Sequence, residues 1–162
     1  MPRKVSIVLS VFNRVDDTKR FLADIARIDY PNFEAIVVDD GSTDGTFETI
    51  TRAFPWVRLL RTKGDLWSSK SMNLGILDAL RRGTDYVLIM TNDIDFEPDF
   101  LTELVQYAEK HSRTLVQPIV RDSGDRKRVW CVGGKIRYWT GQTLMRRDAN
   151  DGRLEWTSGT GF

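Results

Sequence analysis

The chain has 162 residues, 41% of them hydrophobic and 29% charged, which is the composition of one globular domain able to bury a core without staples. Its 24 Lys and Arg offset 23 Asp and Glu to a net charge of +1, which excludes a generic nucleic-acid coat, because such binding needs a large positive excess. The single cysteine, Cys131, excludes an internal disulfide, and the single histidine, His111, excludes multi-histidine zinc chemistry.

Val5 to Phe12 reads VSIVLSVF, an apolar, β-branched run without polar alternation, and predicts a strand buried on both faces. Phe21, Leu22, Ile25 and Ile28 then recur at helical spacing, which predicts a helix over Val15 to Ile28. Phe33 to Val38 predicts a second buried strand, and Thr43 to Phe54 a helix with Asp44 and Glu48 near its positive end. Val57 to Arg61 reads as a third strand. Ser68 to Arg82 reads as a helix that stops at a cationic end followed by Gly83. Tyr86 to Met90 predicts a fourth strand, Pro98 opens another helix, and Leu115 to Val120 predicts a fifth strand. Strands alternating with helices at this spacing predict a doubly covered parallel sheet, a Rossmann-like α/β fold.

The pattern changes after Val120. A charged loop, Arg121 to Arg128, precedes Val129 to Leu144, which is rich in Trp, Tyr, Val and Gly and predicts an antiparallel ribbon. The division expected is therefore residues 1–120 as an α/β half and 121–162 as the start of a ribbon region, within one domain. The last residues, Glu155 to Phe162, carry no polar tail, so a fragment cut inside an element is expected.

In an open parallel sheet, ligands bind beyond the carboxyl ends of the strands. Three groups fall there: Asn13 with Arg14, Asp39 with Asp40, and Asp93 with Asp95. Acids gathered at one edge repel one another unless a cation joins them. A hard divalent ion with oxygen ligands, itself holding phosphates, meets that need. A single strand-end aspartate more often caps a helix or fills a turn; two clusters at one edge favour function. Phosphate-loop chemistry does not fit, because neither GxGxxG after the first strand nor GxxxxGK[ST] occurs. A receiver domain would carry its aspartate pair after the first strand, not the second.

Four segments in order, SVFNR at 10–14, VVDDGSTDGT at 37–46, SMNLGI at 71–76 and TNDIDFEPDFL at 91–101, resemble the family 2 glycosyltransferases of the GT-A fold. The resemblance implies inverting transfer of a sugar from a nucleotide diphosphate donor to a hydroxyl of a saccharide or lipid-linked acceptor. It implies that Asp39 or Asp40, with Asp40 the first choice, reads the base, and that Phe12 lies near that base. Asn13 and Arg14 would line the diphosphate or ribose, Asn73 would close the donor pocket, and Asn92 joins the donor-binding set. Lys70 is a weaker phosphate contact. The family's Asp-x-Asp motif implies Mg²⁺ or Mn²⁺ on the diphosphate; Asp93 matches its last aspartate, Thr91 replaces its first, and Asp95 is a possible second ligand. An inverting transfer also needs a base for the acceptor proton. The family places that base past a Gly-x-Gly turn resembling 158–161, hence beyond Phe162, with Asp148, Asp151 and Glu155 as weak substitutes. Trp130, Tyr138, Trp139 and Trp156 could stack on an acceptor; Cys131 reads as a core thiol and His111 as a surface residue.

Two other accounts compete. One is a nucleotide-sugar-binding module without turnover. The other is a nucleotidyltransferase, which would carry a Gly-rich, Lys/Arg-bearing loop after the first strand; Asn13-Arg14-Val15 is too short and lacks the glycines. No apolar run approaches the ~20 residues of a membrane span. A cytoplasmic setting is expected, with possible peripheral placement at the inner face of a membrane and a role in polysaccharide biosynthesis.

Overall fold

A computed structural model of the chain describes residues 1–111, 115–137, 139–140 and 142–145. Two compact units divide the chain, Met1–Gln106 and Tyr107–Phe162.

The first unit is built on strands β1 (Val5–Val11), β2 (Phe33–Asp39), β3 (Arg58–Arg61) and β4 (Tyr86–Ile89). They form one parallel sheet in the order β3-β2-β1-β4. β1 and β2 are central, and this explains their unbroken apolar runs: Val5, Ile7, Val8, Leu9, Ala35, Ile36, Val37 and Val38 are all buried. Helices α1 (Val15–Ile25), α2 (Thr46–Ala53), α3 (Trp67–Arg81) and α4 (Phe100–Lys110) alternate with the strands.

The two faces carry different helices. Ile7, Leu9, Val11, Ala35 and Val37 pack with Phe21, Leu22 and Ile25 of α1, Ile50 of α2 and Leu101 and Val105 of α4. Val8 and Ile36 point the other way and pack with Met72, Ile76 and Ala79 of α3. A helix of 11 residues such as α1 is marginal alone. Burial of Phe21, Leu22 and Ile25, at about 1.5–3 kcal/mol per side chain, is what holds it.

α3 lies close on its face because residue 75 is glycine. A Cβ there would meet Val8 Cγ1 at 2.5 Å and Val38 Cγ2 at 3.1 Å, both on central strands that cannot retreat. Gly75→Ala gains about 1 kcal/mol of helix propensity but overpacks the core by about 1–3 kcal/mol. A net loss is therefore expected, read as a lowered urea midpoint; a raised midpoint would show that α3 can lift from the sheet freely.

Boundaries shift for identifiable reasons. α2 begins at Thr46, not Thr43, because Gly45 is left-handed (φ +84°) and Asp44 Oδ1 accepts the Thr46 amide at 3.1 Å. α1 gives way after Ile25 to tighter turns, in which Arg27 and Ile28 donate to the carbonyls of Asp24 and Ile25. At the amino edge of the sheet, Glu34 pairs with Lys4 (2.9 Å) and Arg82 (2.9 Å). Burial pushes the Glu34 carboxyl up, but hydrogen bonds from Lys4, Arg82 and Ser6 outweigh it and leave it below its ordinary value.

One expected element is corrected. Residues 115–119 form no strand, and Val120–Arg121 (β5) pairs antiparallel with Val129–Cys131 (β6) instead of joining the parallel sheet. Pro118 lacks the amide that a central strand must donate, and Leu115 is exposed. The parallel sheet therefore has four strands among the described residues. The antiparallel ribbon is present: Gly134–Arg137 (β7) pairs with Gln142–Met145 (β8) in register from Gly134 opposite Met145. Cys131 is buried, as expected of a core thiol. His111 is exposed and stacks on Tyr107 at 4.1 Å. No helix among the described residues is long and apolar enough to cross a membrane.

Candidate functional site at the carboxyl edge of the sheet

β2, β1 and β4 are adjacent and parallel, so the segments after Asp39, Val11 and Ile89 leave the sheet at one edge. Val11 lies opposite Asp39, and the Asp40 amide donates to the Val11 carbonyl at 3.0 Å. The candidate residues following these strands therefore share an edge by topology alone.

The loops after β1 and β2 are tied together. Asn13 is left-handed (φ +49°), a conformation asparagine tolerates. Its amide donates to Ser42 Oγ (3.0 Å), its Oδ1 accepts the Thr43 amide (2.8 Å), and the Val15 amide donates to Asp44 Oδ2 (3.0 Å). Burial pushes the Asp44 carboxyl up, yet the Thr46 hydroxyl and the Val15 and Thr46 amides bring it below its ordinary value. Arg14 is exposed and lies 3.8 Å from Asp17. Phe12 is exposed.

The two aspartates closing β2 differ. Asp39 is fully buried; its Oδ1 accepts the Ser42 amide at 2.9 Å, while Oδ2 has no hydrogen-bond partner. Asp40 is 6% exposed, and its carboxylate organises the loop after β3. Oδ1 accepts from the Thr62 hydroxyl and from the Leu66 amide (3.3 Å), and Oδ2 accepts from the Trp67 amide (2.7 Å). Burial raises its proton affinity, but these donors, joined by the Gly64 amide, outweigh burial and hold the carboxyl below its ordinary value. Four donors match the roughly four acceptor sites of a carboxylate. In this conformation the side chain expected to read a base also anchors residues 62–67.

Past β4, Asn92 and Asp93 lie in a turn. Ile94 and Phe96 pack into the core, Phe96 meeting Phe21 edge-on at 5.7 Å, and Asp93 and Asp95 are exposed. Asn92 Nδ2 donates to Thr18 Oγ1 at 3.0 Å and pins this segment to α1. Thr91 Oγ1 is buried without a partner. Asn73 and Lys70 are exposed on α3.

No group of three or more His, Cys, Asp or Glu able to hold a metal ion occurs among the described residues. The donor set nevertheless suits a hard cation. Mg²⁺ is usually held by one or two carboxylates, with phosphates and water completing its shell, and Asp93 and Asp95 are two exposed carboxylates two residues apart. Asp148, Asp151, Glu155, Tyr138, Trp156 and the turn at 158–161 lie outside the described residues. Trp130 and Trp139 are exposed.

Three residues of this edge carry no sequence signature. Thr62, Leu66 and Trp67 reach Asp40 across 22 to 27 residues of chain, two of them through backbone amides. The signal that sequence offers for a shaped loop here is the Gly64-Asp65 break before a helix.

Comparison with known proteins fits this geometry. The model of the glycosyl transferase family 2 matches residues 6–158. GlyG, a glycosyltransferase of Streptococcus pneumoniae serotype 4, is 27% identical over 159 residues, covering 93% of this chain and 52% of its own. An N-acetylglucosaminyl-diphospho-decaprenol L-rhamnosyltransferase of Mycobacterium tuberculosis is 26% identical over 113 residues, covering 64% of this chain and 37% of its own. Among solved structures, the mannosyltransferase PcManGT of Pyrobaculum calidifontis, in complex with GDP-Man and Mn²⁺, superposes with a TM-score of 0.62 at 23% identity, covering 78% of this chain and 38% of that one. TarS 1-349 of S. aureus in complex with UDP-GlcNAc superposes with a TM-score of 0.58 at 23% identity, covering 67% and 32%. These neighbours have the GT-A fold, with its mostly parallel sheet and smaller antiparallel one. The chain spans only 37% to 52% of the length of these two curated relatives.

Proposed function

Because the chain belongs to glycosyl transferase family 2, we propose that it forms the donor-binding part of an enzyme that moves a sugar, with inversion, from a nucleotide diphosphate to an acceptor hydroxyl. The observation that carries this reading is the convergence of three strand ends, bearing Asn13, Asp40 and Asp93 with Asp95, at one edge of a parallel sheet. The GDP-Man and Mn²⁺ held by PcManGT and the UDP-GlcNAc held by TarS support a nucleotide-sugar donor here.

In this reading β1 and β2 shape the base and ribose side. Asn13 fixes the two loops against each other, and Asp40 holds residues 62–67 beside them. Arg14 supplies positive charge to the phosphates. Asn73 faces the donor from α3. On the β4 side Asp93, with Asp95 beside it, would hold Mg²⁺ or Mn²⁺. When bound, that ion supplies neutralisation of the charge that develops on the departing diphosphate. The proton of the acceptor hydroxyl goes to a carboxylate outside the described residues. The decaprenol-linked acceptor in the name of the M. tuberculosis relative supports a lipid-linked acceptor as one candidate, beside a saccharide.

Calorimetry with UDP, GDP and dTDP, each with and without Mn²⁺, tests the reading. Wild-type chain is expected to bind a nucleoside diphosphate in a metal-dependent way, and Asp93→Ala to lose that dependence while keeping its urea midpoint. An Asp93→Ala chain that binds the nucleoside diphosphate as tightly as wild type, with the same dependence on Mn²⁺, would overturn the ligand assignment. Release of free nucleoside diphosphate in the presence of acceptor separates turnover from binding alone.

A further inference from the structure

Two large aromatic side chains whose backbones are tied to Asp40 stand in water. Phe12 follows the Val11 carbonyl that accepts the Asp40 amide, and it is 57% exposed. Trp67 donates its amide to Asp40 Oδ2 at 2.7 Å, and it is 82% exposed. Neither ring belongs to the two hydrophobic clusters that hold the sheet to its helices. The fold therefore gains little from either.

Trp67 is also strained. Its φ is +58°, in the left-handed region that a bulky L side chain rarely occupies. Glycine fills comparable positions nearby, at Gly41 (φ +76°) and Gly64 (φ +85°). A tryptophan kept where glycine would cost less, with its ring in solvent, calls for a use of the ring. The Leu66 and Trp67 amides donated to Asp40 hold this backbone conformation.

We propose that Trp67 is a donor-binding residue whose indole offers a stacking plane to the nucleobase of the donor, with Asp40 as the positioning residue that fixes it. This rests on the donor-site reading above. The strand order supports the division of labour. β2 and β4 flank β1, so the Asp40 end and the Asp93 end lie about 10 Å apart, comparable with the reach of a nucleoside from base to phosphate. Carboxylates suited to a cation sit on the β4 side. The aromatic faces sit on the side of β1, β2 and the loop after β3. A ring face cannot pair with a phosphate, but every base has a π-face to stack on it.

Calorimetry of the full chain with UDP, GDP and pyrophosphate, each with Mn²⁺, tests this on wild type, W67G, W67L and W67F. W67G and W67L are expected to bind the nucleoside diphosphates about tenfold more weakly, with pyrophosphate unchanged, because only stacking is removed. W67F is expected to keep most of the affinity. W67G is expected to match or exceed the wild-type urea midpoint, since glycine accepts the left-handed backbone, an outcome opposite to that of a purely structural tryptophan. Unchanged nucleoside diphosphate affinity in W67G and W67L, beside a wild type that binds, overturns this inference and leaves the donor-site reading intact. An equal loss toward pyrophosphate also overturns it. A wild-type chain that binds no nucleoside diphosphate overturns the donor-site reading and this inference with it.

Discussion

Gly41→Ala is expected to lower stability by about 2–5 kcal/mol, the largest effect of any single methyl group added to this edge. Two independent costs combine. Gly41 has φ +76°, where an L side chain is strained by about 1–2 kcal/mol. A Cβ there would also meet Gly64 N at 2.6 Å, Gly64 Cα at 2.8 Å and Lys63 C at 2.9 Å. These are backbone atoms, so no side-chain rotation relieves the clash. The loop after β3 would have to back away from the loop after β2, adding the usual overpacking cost of about 1–3 kcal/mol. Withdrawal of residues 63 and 64 also pulls the Leu66 and Trp67 amides from Asp40, so nucleotide affinity should fall together with the urea midpoint. A Gly41→Ala chain with a wild-type midpoint would mean that the two loops are not held in contact in solution. Gly45 makes the useful contrast: its φ is +84° but nothing lies within 4 Å of its Cβ position, so Gly45→Ala should show the backbone cost alone.

What could be read from residue order follows from what residue order encodes. The central strands were legible because burial on both faces leaves no polar alternation, as in Val5 to Leu9 and Ala35 to Val38. Gly83 marked the end of α3 because its left-handed φ of +70° is a backbone need that a residue type announces. The fifth strand misled because Leu115, Val116, Ile119 and Val120 resemble strand residues, while the obstacle, Pro118, acts through a missing amide. The acids at the sheet edge were likewise visible as types at strand ends. Their division of roles was not. Asp39 and Asp40 are neighbours of identical chemistry, yet one side chain is sealed with an unpartnered oxygen and the other gathers a distant loop. Amide donors come from any residue, so no pattern of side chains foretells which carboxylate they will find. Trp67 escaped for the same reason. Its position depends on a hydrogen bond from its backbone, and its ring makes no contact that a hydrophobic period would register.

Asp40→Asn isolates that carboxylate with almost no change of shape. The wild-type side chain accepts from the Thr62 hydroxyl and the Trp67, Leu66 and Gly64 amides. An asparagine presents one NH₂ in place of an acceptor oxygen, so at least one of these amides faces another donor. The expected loss at neutral pH is about 2–3 kcal/mol, the scale of a charge-assisted hydrogen bond replaced by an unsatisfied donor. The pH dependence carries a separate signature. Asp40 has a folded pKa below its ordinary value of 3.8, so its contribution is complete above that value and drains away as pH falls through the folded pKa. The wild type should therefore lose stability in acid below about pH 4, and Asp40→Asn, having no proton to gain, should lose less over the same interval. Asp44 and Glu34, also held below their ordinary values, keep part of the acid sensitivity in both chains, so the difference between the two curves reports Asp40. Urea midpoints measured from pH 7 down to pH 3 make the comparison. Parallel curves would mean that the carboxylate does not hold residues 62–67 in solution, and the support of Trp67 would have to come from elsewhere in the loop.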